Sequence, residues 1–413
     1  MEHWTLPNGM QVVTEQFPHI RTVSVGIFVH VGSQLELPEE NGLSHFIEHM
    51  VFKGTEHRTL RQIAEETDAQ GGHLNAYTGR DHTCFYTKVI DEDLPQALSL
   101  LSDMVLHATF PEDELNRERG VVLEEIAMSE DDPSDVMSDL MSVAMYGGHP
   151  SGQTVLGPAD RVAAYTREDL LAFRARHYTP GRTVLSVCGS FDPEALRDQV
   201  LALFGDWQDT GEPVAFQPPV FRQGVRMARD KEIEQLHLCL AFPAPVYGDP
   251  RAVPMNLMSS VLGGAMSSRL FQRIREQLGM AYGISSFPSG MEGAGSFHIY
   301  AAVSPKNGAQ VLEEIGKEYR KLLEEGMTEK EFADARKQRR ISLLMSMESA
   351  SAWMPAMGTG QLILGRIRTV EDRLRTLDQL TMEDVAAVTR DCLSATPCLC
   401  AVGPEAARFL EGL

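Results

Sequence analysis

The sequence predicts an α+β protein made of two homologous domains, each an antiparallel-rich sheet with helices packed on one face. Three observations carry this. The chain has 413 residues, more than one ordinary core serves, so two domains are expected. Residues 205–219 are rich in turn formers and prolines, as a linker is. The stretches on either side repeat one pattern at an offset near 215 residues. The domains are therefore 1–212 and 222–413, joined by a linker at 213–221.

The repeat is clearest at Thr166-Arg167-Glu168-Asp169-Leu170 against Thr381-Met382-Glu383-Asp384-Val385. Each opens a helix with a threonine N-cap and an acid three residues on, which is the capping-box pattern. Each helix leads to an apolar strand ending in glycine, Gly189 in one half and Gly403 in the other. A second pair, Pro111 to Leu115 against Thr328 to Phe332, precedes a long helical pattern in both halves. The third pair is strand against strand. Val23, Val25, Ile27 and Val29 alternate, and so do Leu236, Leu238 and Leu240, which is the period of a half-buried strand.

Composition bounds the function. Hydrophobic residues make up 43% of the chain and aromatics 7%, a globular balance. The net charge of −21 argues against a nucleic-acid partner, which needs basic patches, and suits basic peptides. Of the six cysteines none stands in a Cys-x-x-Cys pair, so no disulfide framework is implied and a reducing compartment fits. The N-terminal residues carry neither a basic n-region nor an apolar h-region, and no apolar run is long enough to span a bilayer. These readings point to a soluble, cytoplasmic protein without a membrane partner.

The chemistry concentrates in His45-Phe46-Ile47-Glu48-His49. A helix is expected over 43–53, stopped by Gly54, with Leu43, Phe46, Ile47, Met50 and Val51 as its apolar stripe. At about 100° per residue, His45 and His49 sit one turn apart with Glu48 between them. Two imidazoles so placed can share one zinc ion, and a glutamate on that face can take a proton from the attacking water. A His-x-x-Glu-His string arises by chance in only about three of a hundred such chains. A zinc shell open to water needs a third protein ligand. The helical pattern over 116–130 offers Glu118, Glu124, Glu125 and Glu130, and spacing alone does not choose among them.

The run from Gly42 through Thr55 resembles the pitrilysin/insulinase family of inverted-motif zinc peptidases. It is most similar to the short bacterial members and to the β subunit of mitochondrial processing peptidase. The likeness extends over Gly72 to Thr78, Glu118 to Ile126 and Ser268 to Tyr282, so nearly the whole chain is covered.

The resemblance implies roles for these residues. Glu125 is the third ligand beside His45 and His49, one zinc per chain. Glu48 is the general base, and Glu118 supports the site from the same helix face as Glu125. Asn75 and Ala76 lie on a sheet edge that pairs with extended peptide. Arg275 and Tyr282 in the second half steady the substrate oxyanion, with Arg273 as the alternative arginine. The second half holds no metal, since about Ala335 and Ser342 stand where the two glutamates would align.

The implied activity is a zinc metalloendopeptidase cleaving peptides or unfolded segments, basic ones preferred, inside a dimer chamber. A homodimer is expected, with pairing to a related chain as the alternative. Two other readings compete: a presequence-type processing peptidase, and a non-catalytic scaffold subunit, against which the complete motif speaks.

Overall fold

Strand β3 (Thr22–Val29) shows how the first sheet is covered. Val23, Val25, Ile27 and Val29 all point into one core, fully buried, beside Phe46, Ile47, Leu98 and Leu101. The alternate residues Ser24, Gly26 and Phe28 point to the opposite face, as the two-residue period of a strand requires. The sheet comprises β1 (Glu2–Thr5), β2 (Gln11–Gln16), β3, β4 (Asn75–Thr78), β5 (Thr83–Ile90) and β6 (Thr183–Gly189). Their spatial order is β1-β2-β6-β3-β5-β4, so β4 forms one edge. The computed structural model describes residues 1–209, 215–346 and 348–411.

The second sheet repeats this plan. It contains β7 (Arg226–Asp230), β8 (Leu236–Pro243), β9 (Ala281–Met291), β10 (Ala294–Val303) and β11 (Cys398–Gly403) in the order β7-β11-β8-β10-β9. β7 runs parallel to β11 as β2 does to β6, and the remaining pairings are antiparallel in both sheets. Leu236, Leu238, Leu240 and Phe242 face the second core. Both capping boxes form, at Thr166 with Asp169 and at Thr381 with Asp384. Gly189 and Gly403 end their strands at φ of 139° and 142°, a region open to glycine because it lacks a Cβ. The α+β class and the two-domain repeat are thus present in the fold.

Helices cover both faces of each sheet, where the sequence suggests one. The helix Ala350–Leu364 lies on the Ser24/Gly26/Phe28 face of the first sheet. A Cβ at Gly26 would run into Met354, and one at Gly358 would run into the Phe28 ring, so small residues set this close approach. Ser186 Oγ donates to Met354 O at 2.8 Å across the same contact. In the second unit the helix Pro133–Tyr146 covers the corresponding face, with Val136, Met137 and Met141 against Cys239, Ala241 and Cys400.

Each covering helix therefore comes from the opposite half of the chain. The compact units are Met1–Ile126 with Thr154–Phe216 and Met345–Thr369, and Ala127–Gln153 with Gln217–Leu344 and Val370–Leu413. The sequence-based expectation places a linker at 213–221. Residues 213 and 214 of it lie outside the described residues, and 215–221 form no helix or strand. The six cysteines are free and buried. No helix among the described residues is long and apolar enough to cross a membrane.

Candidate active site

The helix bearing the histidines runs Leu43–Met50, shorter than the expected 43–53 because the chain turns at Val51 to Lys53. Its N-terminus is held by Glu36. Glu36 Oε2 accepts from Gly42 N at 2.9 Å and Asn41 Nδ2 at 3.1 Å, and Oε1 accepts from Ser44 N at 2.7 Å. A carboxylate there satisfies orphan amides and opposes the positive end of the helix dipole. Glu36 is 1% exposed, and burial raises its pKa against the pull of these bonds. Gly42 has φ of 101°, and a Cβ there would stand 2.8 Å from Leu156 O.

Four apolar residues of this helix, Leu43, Phe46, Ile47 and Met50, pack into the first core. His45 is only 6% exposed, and His49 and Glu48 are half-buried. The rings of His45 and His49 lie edge-on, centroids 4.7 Å apart. Facing them is the helix Glu112–Asp131. Glu125 Oε2 stands 3.3 Å from His49 Nε2 and 3.6 Å from His45 Nε2.

Metal–ligand bonds of about 2.0–2.2 Å in a tetrahedron put donor atoms about 3.4 Å apart. The two spacings to Glu125 match that shell, and all three donor atoms lie within 4.8 Å of one another. Burial first, and the neighbouring His49 second, push the His45 pKa down to about 3. Its imidazole is therefore neutral, the form that offers a lone pair. The donor set fits one zinc ion, and the Glu125 side chain, 44% exposed, leaves the cluster open on one side.

The other glutamates on this helix do different things. Glu118 Oε1 lies 2.9 Å from His49 Nδ1, and its Oε2 lies 2.5 Å from Lys53 Nζ. If Nδ1 donates to Glu118, His49 Nε2 is left as the ligand atom. Glu124 is exposed, and Glu130 pairs with Arg229 at 3.1 Å. Glu48 receives a hydrogen bond from Thr78 Oγ1 at 2.6 Å. Burial raises the Glu48 pKa, with that bond from Thr78 working against it.

Thr78 ends β4, so the edge strand and the base are tied together. Asn75 and Ala76 sit on β4 opposite Tyr86 and Phe85 of β5, leaving the other side of the strand as a sheet edge. Asn75 Oδ1 accepts from Ala76 N at 2.9 Å.

Arg275 and Tyr282 belong to the other unit and meet there. The Arg275 guanidinium lies 5.4 Å from the Tyr282 ring centre, and Tyr282 is 80% exposed. Arg273 is occupied differently, at 2.7 Å from the buried carboxylate of Glu314. Sequence reasoning missed Glu36, Lys53 and Thr78. Lys53 stands four residues after His49, a helical spacing that could have flagged it; Glu36 gave no local signal.

Comparison with known proteins fits this picture. Residues 11–159 match the family described as insulinase, peptidase family M16, and residues 164–339 match the M16 inactive domain. The chain belongs to peptidase family M16. An uncharacterized zinc protease of Bacillus subtilis, YmxG, is 38% identical over 98% of both chains. One from Streptomyces coelicolor is also 38% identical, over 97% of this chain and 89% of its own. A protease from Helicobacter pylori shares the fold at a TM-score of 0.90 and 22% identity, covering 98% of this chain and 99% of that one. An M16 inactive-domain structure from Pseudomonas fluorescens does so at 0.90 and 21%, over 98% and 97%. As an M16 member the chain is a metallopeptidase by class, a hydrolase.

Proposed function

We propose that this M16 chain is a zinc endopeptidase that cleaves peptides and unfolded segments, with one catalytic zinc per chain on His45, His49 and Glu125. The observation carrying this reading is the single Glu125 oxygen poised between both Nε2 atoms, at 3.3 and 3.6 Å. Bound there, zinc would supply Lewis acidity toward water and the scissile carbonyl. Glu48 takes the proton of the attacking water and returns it to the leaving amine. Thr78 holds the Glu48 carboxylate in place, and Glu118 orients His49. The free side of β4 pairs with an extended substrate backbone at Asn75 and Ala76.

In this reading two chains enclose a chamber, and each zinc site receives Arg275 and Tyr282 from its partner to steady the developing oxyanion. The stacking of Arg275 on Tyr282, with Arg273 held by Glu314, favours Arg275 for that role. The charge of −21 favours basic peptides by long-range attraction. A peptide-library digest beside a zinc assay tests this. Unfolded and basic peptides should be cut, and the charge preference should fade with added salt. Zinc-loaded protein that cuts no peptide would support a scaffold role instead.

A further inference from the structure

A second cluster of metal-ligating groups stands in the same unit, apart from the His45–His49–Glu125 site. His57, Asp103 and His107 each offer a donor atom, and these atoms lie within 4.8 Å of one another, as those of the first cluster do. His57 Nδ1 lies 2.7 Å from Asp103 Oδ1. The rings of His57 and His107 meet edge-on, centroids 5.0 Å apart at 87°. We propose that His57, His107 and Asp103 form a second, weaker zinc site that pins the turn after the histidine helix to the helix Leu94–His107.

The backbone pre-positions these groups. Thr55 pairs with Ala108 as an isolated antiparallel bridge, Glu56 N donates to His107 O at 3.0 Å, and Thr109 N donates to Gly54 O at 3.1 Å. Within the turn, Thr55 Oγ1 accepts from His57 N and Arg58 N at 3.1 and 2.8 Å and donates to Asp103 Oδ2 at 2.7 Å. His57 and His107 therefore sit on two tied segments, with Asp103 one turn back from His107 on its helix. The Asp103 side chain is 6% exposed. Thr55 Oγ1 and Arg58 Nη1 both donate to its Oδ2, while Oδ1 faces His57.

Arg58 bears on this site and does not cancel it. Its Nη1 lies 2.8 Å from Asp103 Oδ2, while its Nε lies 2.9 Å from Glu66 Oε2. One guanidinium thus serves two carboxylates and leaves Asp103 Oδ1 to the histidines. Glu56 adds another carboxylate 4.0 Å from His107 Nδ1. Two imidazoles and one carboxylate form a donor set suited to zinc, with a fourth position for water. Zinc would replace the proton shared by His57 and Asp103, and losing that bond makes this site the weaker one.

The test titrates zinc into full-length protein stripped of metal by chelation, with bound zinc measured by elemental analysis at buffered free concentrations. Wild type should take up two zinc ions in separate phases. The His57→Gln/His107→Gln variant should keep only the tighter phase, and the His45→Ala/His49→Ala variant only the weaker one. Saturation of wild type at one zinc, or an undiminished weak phase in His57→Gln/His107→Gln, overturns the proposal. A readout on wild type alone guards against misfolded variants. Histidine modification mapped by mass spectrometry should find His57 and His107 reactive without metal and protected once the second phase fills. Unchanged reactivity of both overturns it as well.

Discussion

His49 and Glu118 face each other across 2.9 Å, Nδ1 to Oε1, on the edge of the imidazole opposite the one that meets Glu125. Glu118 is also paired to Lys53, so its carboxylate is fixed on both oxygens and His49 is oriented through it. A Glu118→Gln substitution should weaken zinc binding about 10- to 100-fold, the usual cost of losing a partner behind a ligand. Competition with a zinc-binding dye measures this. Glu125→Ala should strip the site altogether, so the two variants separate a supporting group from a ligand.

Thr78 bears on the pH profile. Burial raises the Glu48 pKa and the hydrogen bond from Thr78 lowers it. Glu48 acts as a base only when ionised, so activity falls as pH drops through its pKa. Thr78→Val removes the lowering contribution. The acid limb of kcat/KM should therefore move to higher pH while zinc content stays the same. A limb that stays in place, or moves to lower pH, would contradict the role given to this contact.

Gly358 tests the packing of the covering helix. A methyl group there would collide with the Phe28 ring, which is fully buried. Gly358→Ala should destabilise the protein by about 1–3 kcal/mol, because overpacking outweighs the gain in helix propensity. Urea unfolding of the metal-free protein gives the value.

The proposed sharing of the site between chains predicts complementation. Glu48→Gln and Tyr282→Phe proteins should each be weak alone. Co-expressed as heterodimers, they should recover about half of wild-type activity, since each site needs one intact copy of both parts. No recovery in confirmed heterodimers contradicts the shared arrangement.

What could be read in the sequence was local or periodic. The His45–His49 spacing, the capping boxes at Thr166 and Thr381 and the alternation in β3 and β8 each lie within a few residues, where helix and strand periods act directly. The repeat was visible because two copies stand in one chain. Glu36, Thr78 and the helix Ala350–Leu364 were not visible, for one physical reason. Each acts on a partner chosen by the tertiary fold: Glu36 caps a helix six residues on through a buried turn, Thr78 reaches Glu48 from another strand, and Gly358 meets Phe28 from the far half of the chain. An apolar helix shows that it must be covered, and nothing in its own pattern names the sheet that covers it. The choice of Glu125 among four glutamates came from the family resemblance; spacing left it open.

The most direct test of the account measures zinc content and peptide cleavage together in Glu48→Gln and His45→Ala proteins. Glu48→Gln should retain zinc and lose nearly all turnover, because the ligands remain while the base is gone. His45→Ala should lose the tightly bound zinc and the turnover alike. Zinc-replete Glu48→Gln protein that cleaves peptides at the wild-type rate would contradict the mechanism at its centre.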